Sequence, residues 1–103
     1  MKQIIEFVDE HLANKINMEE VSRLASMSYS YFSKFFKKAT GSSFTNYVNL
    51  RRIQTAERLL VTSDSSITAI AASVGIENMA HFYKLFKRHI GCTPKEYIHR
   101  LSV

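Results

Sequence analysis

Ser30, Ser33, Lys34 and Lys37 stand at i, i+3, i+4 and i+7, a spacing that lines up four side chains on one face of a helix. Fifty residues later Ala80, Tyr83, Lys84 and Lys87 repeat that spacing. Phe32 and Phe36 in the first stretch, and Phe82 and Phe86 in the second, fall on the opposite face. Short or hydrogen-bonding side chains near a helix start, with lysines further along, suit the edges of base pairs in a major groove. Lysine donates to guanine O6 and N7, and an ammonium also pairs with the flanking phosphates. His11, His81, His89 and His99 show no metal-ligand spacing with carboxylates or with Cys92, so no metal is expected. No glycine-rich phosphate loop and no acid–base pair stands out. No catalytic residue and no cofactor are therefore expected.

The elements that would hold these side chains are helical. Three glycines and one proline in 103 residues are too few for the turns of an all-β sandwich. A chain with 46% hydrophobic and 22% charged residues folds as one small domain or as two very small lobes, not as a disordered tail. A lone cysteine excludes an intrachain disulfide and fits a reducing compartment. No apolar run approaches the roughly 20 residues of a membrane span, and an early Glu6 argues against a signal peptide. The net charge of +5 and pI near 9.5 favour a polyanionic partner.

Charge is distributed in blocks. Residues 28–61 hold Lys34, Lys37, Lys38, Arg51, Arg52 and Arg58 against Glu57 alone. Residues 78–103 hold Lys84, Lys87, Arg88, Lys95 and Arg100 against Glu96 alone. The stretches 1–27 and 62–77 lean acidic. Alternating blocks are compatible with a merely patchy solvated surface as well as with a binding face.

Ile4, Ile5, Val8 and Leu12 predict an amphipathic helix over 2–14. Asn17, with Glu20 as its capping-box partner, starts a short helix ending near 26. Ser28 restarts the chain, its hydroxyl placed to cap the N–H of Ser30 or Tyr31, and Gly41 ends that helix. An unbroken helical pattern follows from Ser43 to Thr62. The stretch Asp64-Ser65-Ser66 is a turn and N-cap for a short helix over 67–74 with Gly75 behind it, and Asn78 caps the next helix, which Gly91 ends. Thr93 caps the last, with Pro94 at its first turn. Seven helices and no strand are expected.

A shift of 50 residues overlays Phe32 on Phe82, Lys34 on Lys84, Phe36-Lys37 on Phe86-Lys87, Gly41 on Gly91 and Tyr47 on Tyr97. In each copy a short helix, a tight turn and the repeated helix form a helix-turn-helix. The expected organisation is a first lobe over 1–42, a linker helix over 43–62 and a second lobe over 63–103. Twenty helical residues span about 30 Å, near the roughly 34–36 Å of one B-DNA turn. One chain could thus present two recognition helices (about 28–40 and 78–90) to adjacent major-groove segments.

This pattern resembles the DNA-binding domain of the AraC/XylS family of bacterial transcription regulators. The likeness is carried by Ile67-Thr68-Ala69-Ile70-Ala71-Ala72-Ser73-Val74-Gly75-Ile76, Phe82, Phe86-Lys87, Gly91, Thr93-Pro94 and Tyr97. Arg52-Ile53, Ala56 and Leu59-Leu60 match the linker helix, and Ser28, Phe36-Lys37 and Gly41 the first recognition helix. The resemblance implies base-facing positions at Tyr29, Ser30, Tyr31, Ser33 and Lys34, and at Met79, Ala80, His81, Tyr83 and Lys84. Lys37, Lys38, Ser43, Arg51, Arg52, Lys87, Arg88, Thr93 and Lys95 would meet phosphates. Ser22 stands where the family usually has Ala, and Ile98 where it often has Arg. The apolar pair Met79 and Ala80 directs the second helix toward thymine methyls.

The resemblance further implies double-stranded DNA and RNA polymerase as partners, a cytoplasmic setting with nucleoid association when bound, and no membrane. No small-molecule ligand is expected in this domain. A sensor or dimerisation domain would belong to a longer protein of which this chain is the C-terminal piece. The other possibility is a stand-alone, single-domain member. The competing reading from another class is a helical protein–protein adaptor whose basic blocks meet an acidic partner. An enzyme fragment carrying this module lacks a catalytic constellation.

Overall fold

The computed structural model describes residues 1–101. Among them are seven α-helices and no strand: α1 Lys2–Glu10, α2 Met18–Leu24, α3 Tyr29–Thr40, α4 Phe44–Thr62, α5 Ile67–Ser73, α6 Met79–Ile90 and α7 Pro94–Leu101. The chain divides into two compact units, Met1–Val48 and Asn49–Val103.

Local chemistry sets most helix starts. Ser28 Oγ accepts from Tyr31 N at 3.2 Å, Ser66 Oγ from Ala69 N at 3.1 Å and Asn78 Oδ1 from His81 N at 2.9 Å. Each bond satisfies a backbone donor that the first helical turn leaves without a partner. Asn17 Oδ1 accepts from Glu19 N at 2.8 Å. A two-sided capping box forms at α7. Thr93 Oγ1 accepts from Glu96 N at 3.2 Å, and Thr93 N donates to the Glu96 carboxylate at 3.0 Å.

Helix α1 is shorter than its apolar pattern predicts, ending at Glu10 instead of 14. His11 leaves the helical backbone at φ −118°, its ring stacked on Phe7 with centroids 4.2 Å apart and its Nδ1 2.8 Å from the Phe7 carbonyl. A turn over 11–13 still delivers Leu12 to the core and leaves Asn17 extended enough to cap α2.

The first unit closes around Ile4, Val8, Leu12, Val21, Phe32, Phe36, Phe44 and Val48. The second closes around Ile53, Ala56, Ile70, Ala71, Val74, Ile76, Phe82, Leu85 and Phe86. Helix α4 serves both: Phe44 and Val48 belong to the first core, Ile53 and Ala56 to the second. Phe35 is half-buried, outside the first core proper. The aromatic geometry repeats with the sequence. Phe32–Phe36 and Phe82–Phe86 both have centroids 5.9 Å apart, at 44° and 43°. Tyr47 lies 5.4 Å from Phe36, and Tyr97 lies 5.8 Å from Phe86.

The repeat changes register in the turns. Met27 N donates to Ser22 O and Ile76 N to Ala71 O, both at 2.9 Å, so the first helices correspond at a shift of 49. The second helices, Tyr29–Thr40 and Met79–Ile90, correspond at 50. The second turn is therefore one residue longer, with Glu77 inserted before the cap Asn78. Ser22, the counterpart of Ala71, is buried, and its hydroxyl donates to Glu19 O at 2.8 Å.

Candidate nucleic-acid interface

Burial of Phe32 and Phe36 turns the opposite face of α3 outward. Tyr29, Ser30, Tyr31 and Lys34 are exposed, the two tyrosines at 52% and 61%, and Ser33 is half-buried. On α6, burial of Phe82, Leu85 and Phe86 leaves Ala80, His81 and Lys84 exposed. Met79 and Tyr83 are only partly accessible. Both lie against the second core, and the Tyr83 ring meets Phe82 edge-on at 6.4 Å. Within each unit, then, a small residue and a lysine four positions later share an open helix face: Ser30 and Lys34, and Ala80 and Lys84.

The expected phosphate contacts divide by environment. Lys37, Lys38, Ser43, Lys87, Arg88 and Lys95 are exposed. Ser43 Oγ accepts from Asn46 N at 3.1 Å, at the start of α4. Thr93 is half-buried inside its capping box. Its backbone N–H and the neighbouring positive charges of Arg100 and Lys87 hold the Glu96 carboxyl below the usual carboxylate range, the hydrogen bonds to Thr93 being the larger cause. Helix α7 thus carries its own anion at its N-terminus.

Arg51 and Arg52 are half-buried. Arg51 donates through Nη1 to Gln54 Oε1 at 2.7 Å. Burial lowers the Arg52 pKa, a sign that its guanidinium sits in a partly dry setting. Arg51, Gln54, Thr55, Glu57 and Arg58 line an open polar depression on α4. Arg58 is an exposed cation there that the repeat does not single out, because its helix face has no counterpart pattern in the first lobe. Burial and the Glu57 carboxylate that accepts from its hydroxyl push the Tyr97 pKa upward, which ties α7 to α4.

No group of three or more His, Cys, Asp or Glu side chains comes together among the described residues, and Cys92 is buried. No helix there is long and apolar enough to cross a membrane.

Two helix-turn-helix units with outward, lysine-bearing second helices define a double helix-turn-helix domain of the kind found in transcription regulators. The family described as a helix-turn-helix domain matches residues 21–100. The regulatory protein PocR of Salmonella typhimurium is 35% identical over 102 residues, covering 99% of this chain and 34% of PocR. The regulatory protein SoxS of the same organism is 30% identical over 101 residues, covering 98% of this chain and 94% of SoxS. The DNA-binding domain of AdpA, a global transcriptional factor solved in complex with a target DNA, superposes with a TM-score of 0.88 at 28% identity. That match covers 96% of this chain and 89% of the AdpA domain. The chain belongs to the AraC/XylS family of helix-turn-helix transcription regulators. It spans about a third of the length of PocR and nearly all of SoxS. The family is one of DNA-binding regulators and not of enzymes.

Proposed function

We propose that this chain binds double-stranded DNA in a sequence-specific manner, each unit placing its second helix, α3 or α6, in one of two adjacent major-groove segments. The observation that carries this reading is the pair of matched open faces. Ser30 with Lys34 and Ala80 with Lys84 are set opposite buried phenylalanines, with Lys37, Lys38, Lys87 and Arg88 exposed alongside. The 19 residues of α4 span about 28 Å at helical rise, close to one turn of B-DNA. That the AdpA domain was solved in complex with a target DNA supports DNA binding by this fold.

In this reading Tyr29, Ser30, Tyr31, Ser33 and Lys34, with Ala80, His81 and Lys84, face bases. The exposed cations and Ser43 hold the backbone. Binding regulates transcription by positioning RNA polymerase, in the bacterial cytoplasm and on the nucleoid when bound. On the pattern of PocR, of which this chain spans about a third, a sensor or dimerisation domain would accompany this one in a longer protein; on the pattern of SoxS, of which it spans nearly all, the domain would stand alone.

Selection from random duplexes tests the reading directly. The expected result is an enriched sequence whose binding weakens steeply with salt, as release of several counterions requires. Binding without enrichment, or binding only to an acidic protein, overturns it.

A further inference from the structure

We propose that the two units read unlike half-sites that share a guanine: Ala80 reads a thymine methyl beside the guanine of Lys84, while Ser30 hydrogen-bonds a base edge beside the guanine of Lys34. This rests on the DNA-binding reading above. The shared element is the lysine. Lys34 and Lys84 are both exposed, occupy the same place in helices that correspond at a shift of 50, and lie opposite Phe32–Phe36 and Phe82–Phe86. A lysine on a groove-facing surface donates to guanine O6 and N7.

The unlike element lies four residues earlier, about 6 Å along each helix axis. Ser30 and Ala80 are both exposed there. A serine hydroxyl donates and accepts, so it satisfies a polar base edge. An alanine offers only a methyl group. Of the four base pairs, only those with thymine place an apolar group in the major groove. A polar edge facing Ala80 would lose water without gaining a partner.

The sequence alone leaves the apolar role divided between Met79 and Ala80. The structure separates them. Met79 lies against the second core, together with Tyr83, whose ring stands edge-on to Phe82. Ala80 is the apolar side chain of this helix start that remains open. The place in α3 that corresponds to Ala80 is held by Ser30, a hydroxyl residue, so α3 has no apolar reader at that position.

Selected duplexes provide the test. The half-site of α6 is the one at which Lys84→Ala relaxes base preference. It is expected to contain a thymine within about two base steps of the guanine. Replacing that thymine with deoxyuridine removes only the methyl group and is expected to weaken binding about fourfold, the effect of one buried methyl group. Deoxyuridine at the corresponding step of the α3 half-site, the one that faces Ser30, is expected to leave affinity unchanged. Ala80→Ser, checked for helicity by circular dichroism, is expected to lose the deoxyuridine penalty. Identical selected half-sites, or unchanged affinity with deoxyuridine throughout the α6 half-site, overturn the proposal while leaving DNA binding standing. Failure to enrich any sequence overturns the DNA-binding reading itself. The deoxyuridine arm uses the unaltered chain and does not depend on how any variant folds.

Discussion

Ser26 holds in the first unit the left-handed backbone position that Gly75 holds in the second, at φ 58° against 85°. Both end a short helix in the same way. Ser26 N donates to Arg23 O and Met27 N to Ser22 O, while Gly75 N donates to Ala72 O and Ile76 N to Ala71 O. These paired bonds satisfy carbonyls that a helix end leaves open, and the residue that follows, Met27 or Ile76, turns its side chain into the core. Glycine adopts this backbone freely, whereas an L side chain carries a cost of roughly 1 kcal/mol.

Ser26→Gly is therefore expected to stabilise the chain by about 0.5–1 kcal/mol, because relief of the left-handed strain outweighs the extra freedom of the unfolded glycine. Ser26→Ala keeps the strain and is expected to gain nothing. Urea denaturation of the three chains separates these outcomes, and equal midpoints for Ser26→Gly and wild type would refute the strain.

Lys34→Ala and Lys84→Ala are each expected to weaken binding to the selected site by about 1–3 kcal/mol and to relax preference at one base position. Each lysine lies on the open face opposite the phenylalanines. Titration against both the selected and a random duplex decides between roles. A loss of the same size on both would make the lysine a phosphate contact.

The exposed cations and Arg52 should behave differently. Neutralising Lys37, Lys87 or Arg88 is expected to lower the salt slope of binding by about 1 where the side chain meets a phosphate. Arg52 is half-buried with a desolvated guanidinium, so Arg52→Ala is expected to lower stability by about 0.5–3 kcal/mol and leave the slope intact. A reduced slope with unchanged stability would instead place Arg52 on the backbone of the duplex.

The starts of α3, α5 and α6 are legible because a cap acts within three residues: Ser28, Ser66 and Asn78 each bond an N–H of the turn they precede. The two cores are legible because phenylalanines four apart recur at a fixed shift. Ser26 is not legible, since serine carries no local sign of a left-handed backbone. Neither is the inward lie of Met79. Adjacent helical positions differ by about 100° in direction, and only the finished core shows which of Met79 and Ala80 it covers. The end of α1 is hidden for a related reason. Leu12 continues the apolar pattern, yet it reaches the core from a turn.

His89 gives the chain an acid-sensitive element. Its Nε2 is buried without a hydrogen-bond partner, and burial, then the charge of Arg88, lowers its pKa. The folded chain therefore holds His89 neutral at a pH where the unfolded chain, near the ordinary value of about 6.5, binds a proton. Stability is expected to be full above that pH and to fall as pH drops from about 6.5 toward the lowered folded value. Urea midpoints at pH 7.5 and 5.5 should fall further for wild type than for His89→Leu. An identical drop in the two chains would assign the acid sensitivity to other groups.

Helix α4 joins the two units without Gly or Pro between Phe44 and Thr62. If it acts as a stiff spacer on DNA, one chain protects two major-groove segments about one turn apart on one face of the duplex. Asn49→Gly together with Gln54→Gly costs roughly 1 kcal/mol of helix propensity per site. Gln54 is exposed and accepts from Arg51, while Asn49 is half-buried at the boundary of the units, so the matching double alanine variant serves as the control for lost side-chain contacts. Affinity of the double glycine variant for the full site is expected to fall by more than its stability loss explains. Affinity for either half-site alone should change little, because each unit keeps its own core. Footprinting completes the test: protection of a single groove segment by the unaltered chain would show that only one unit reads bases and that the other supports it.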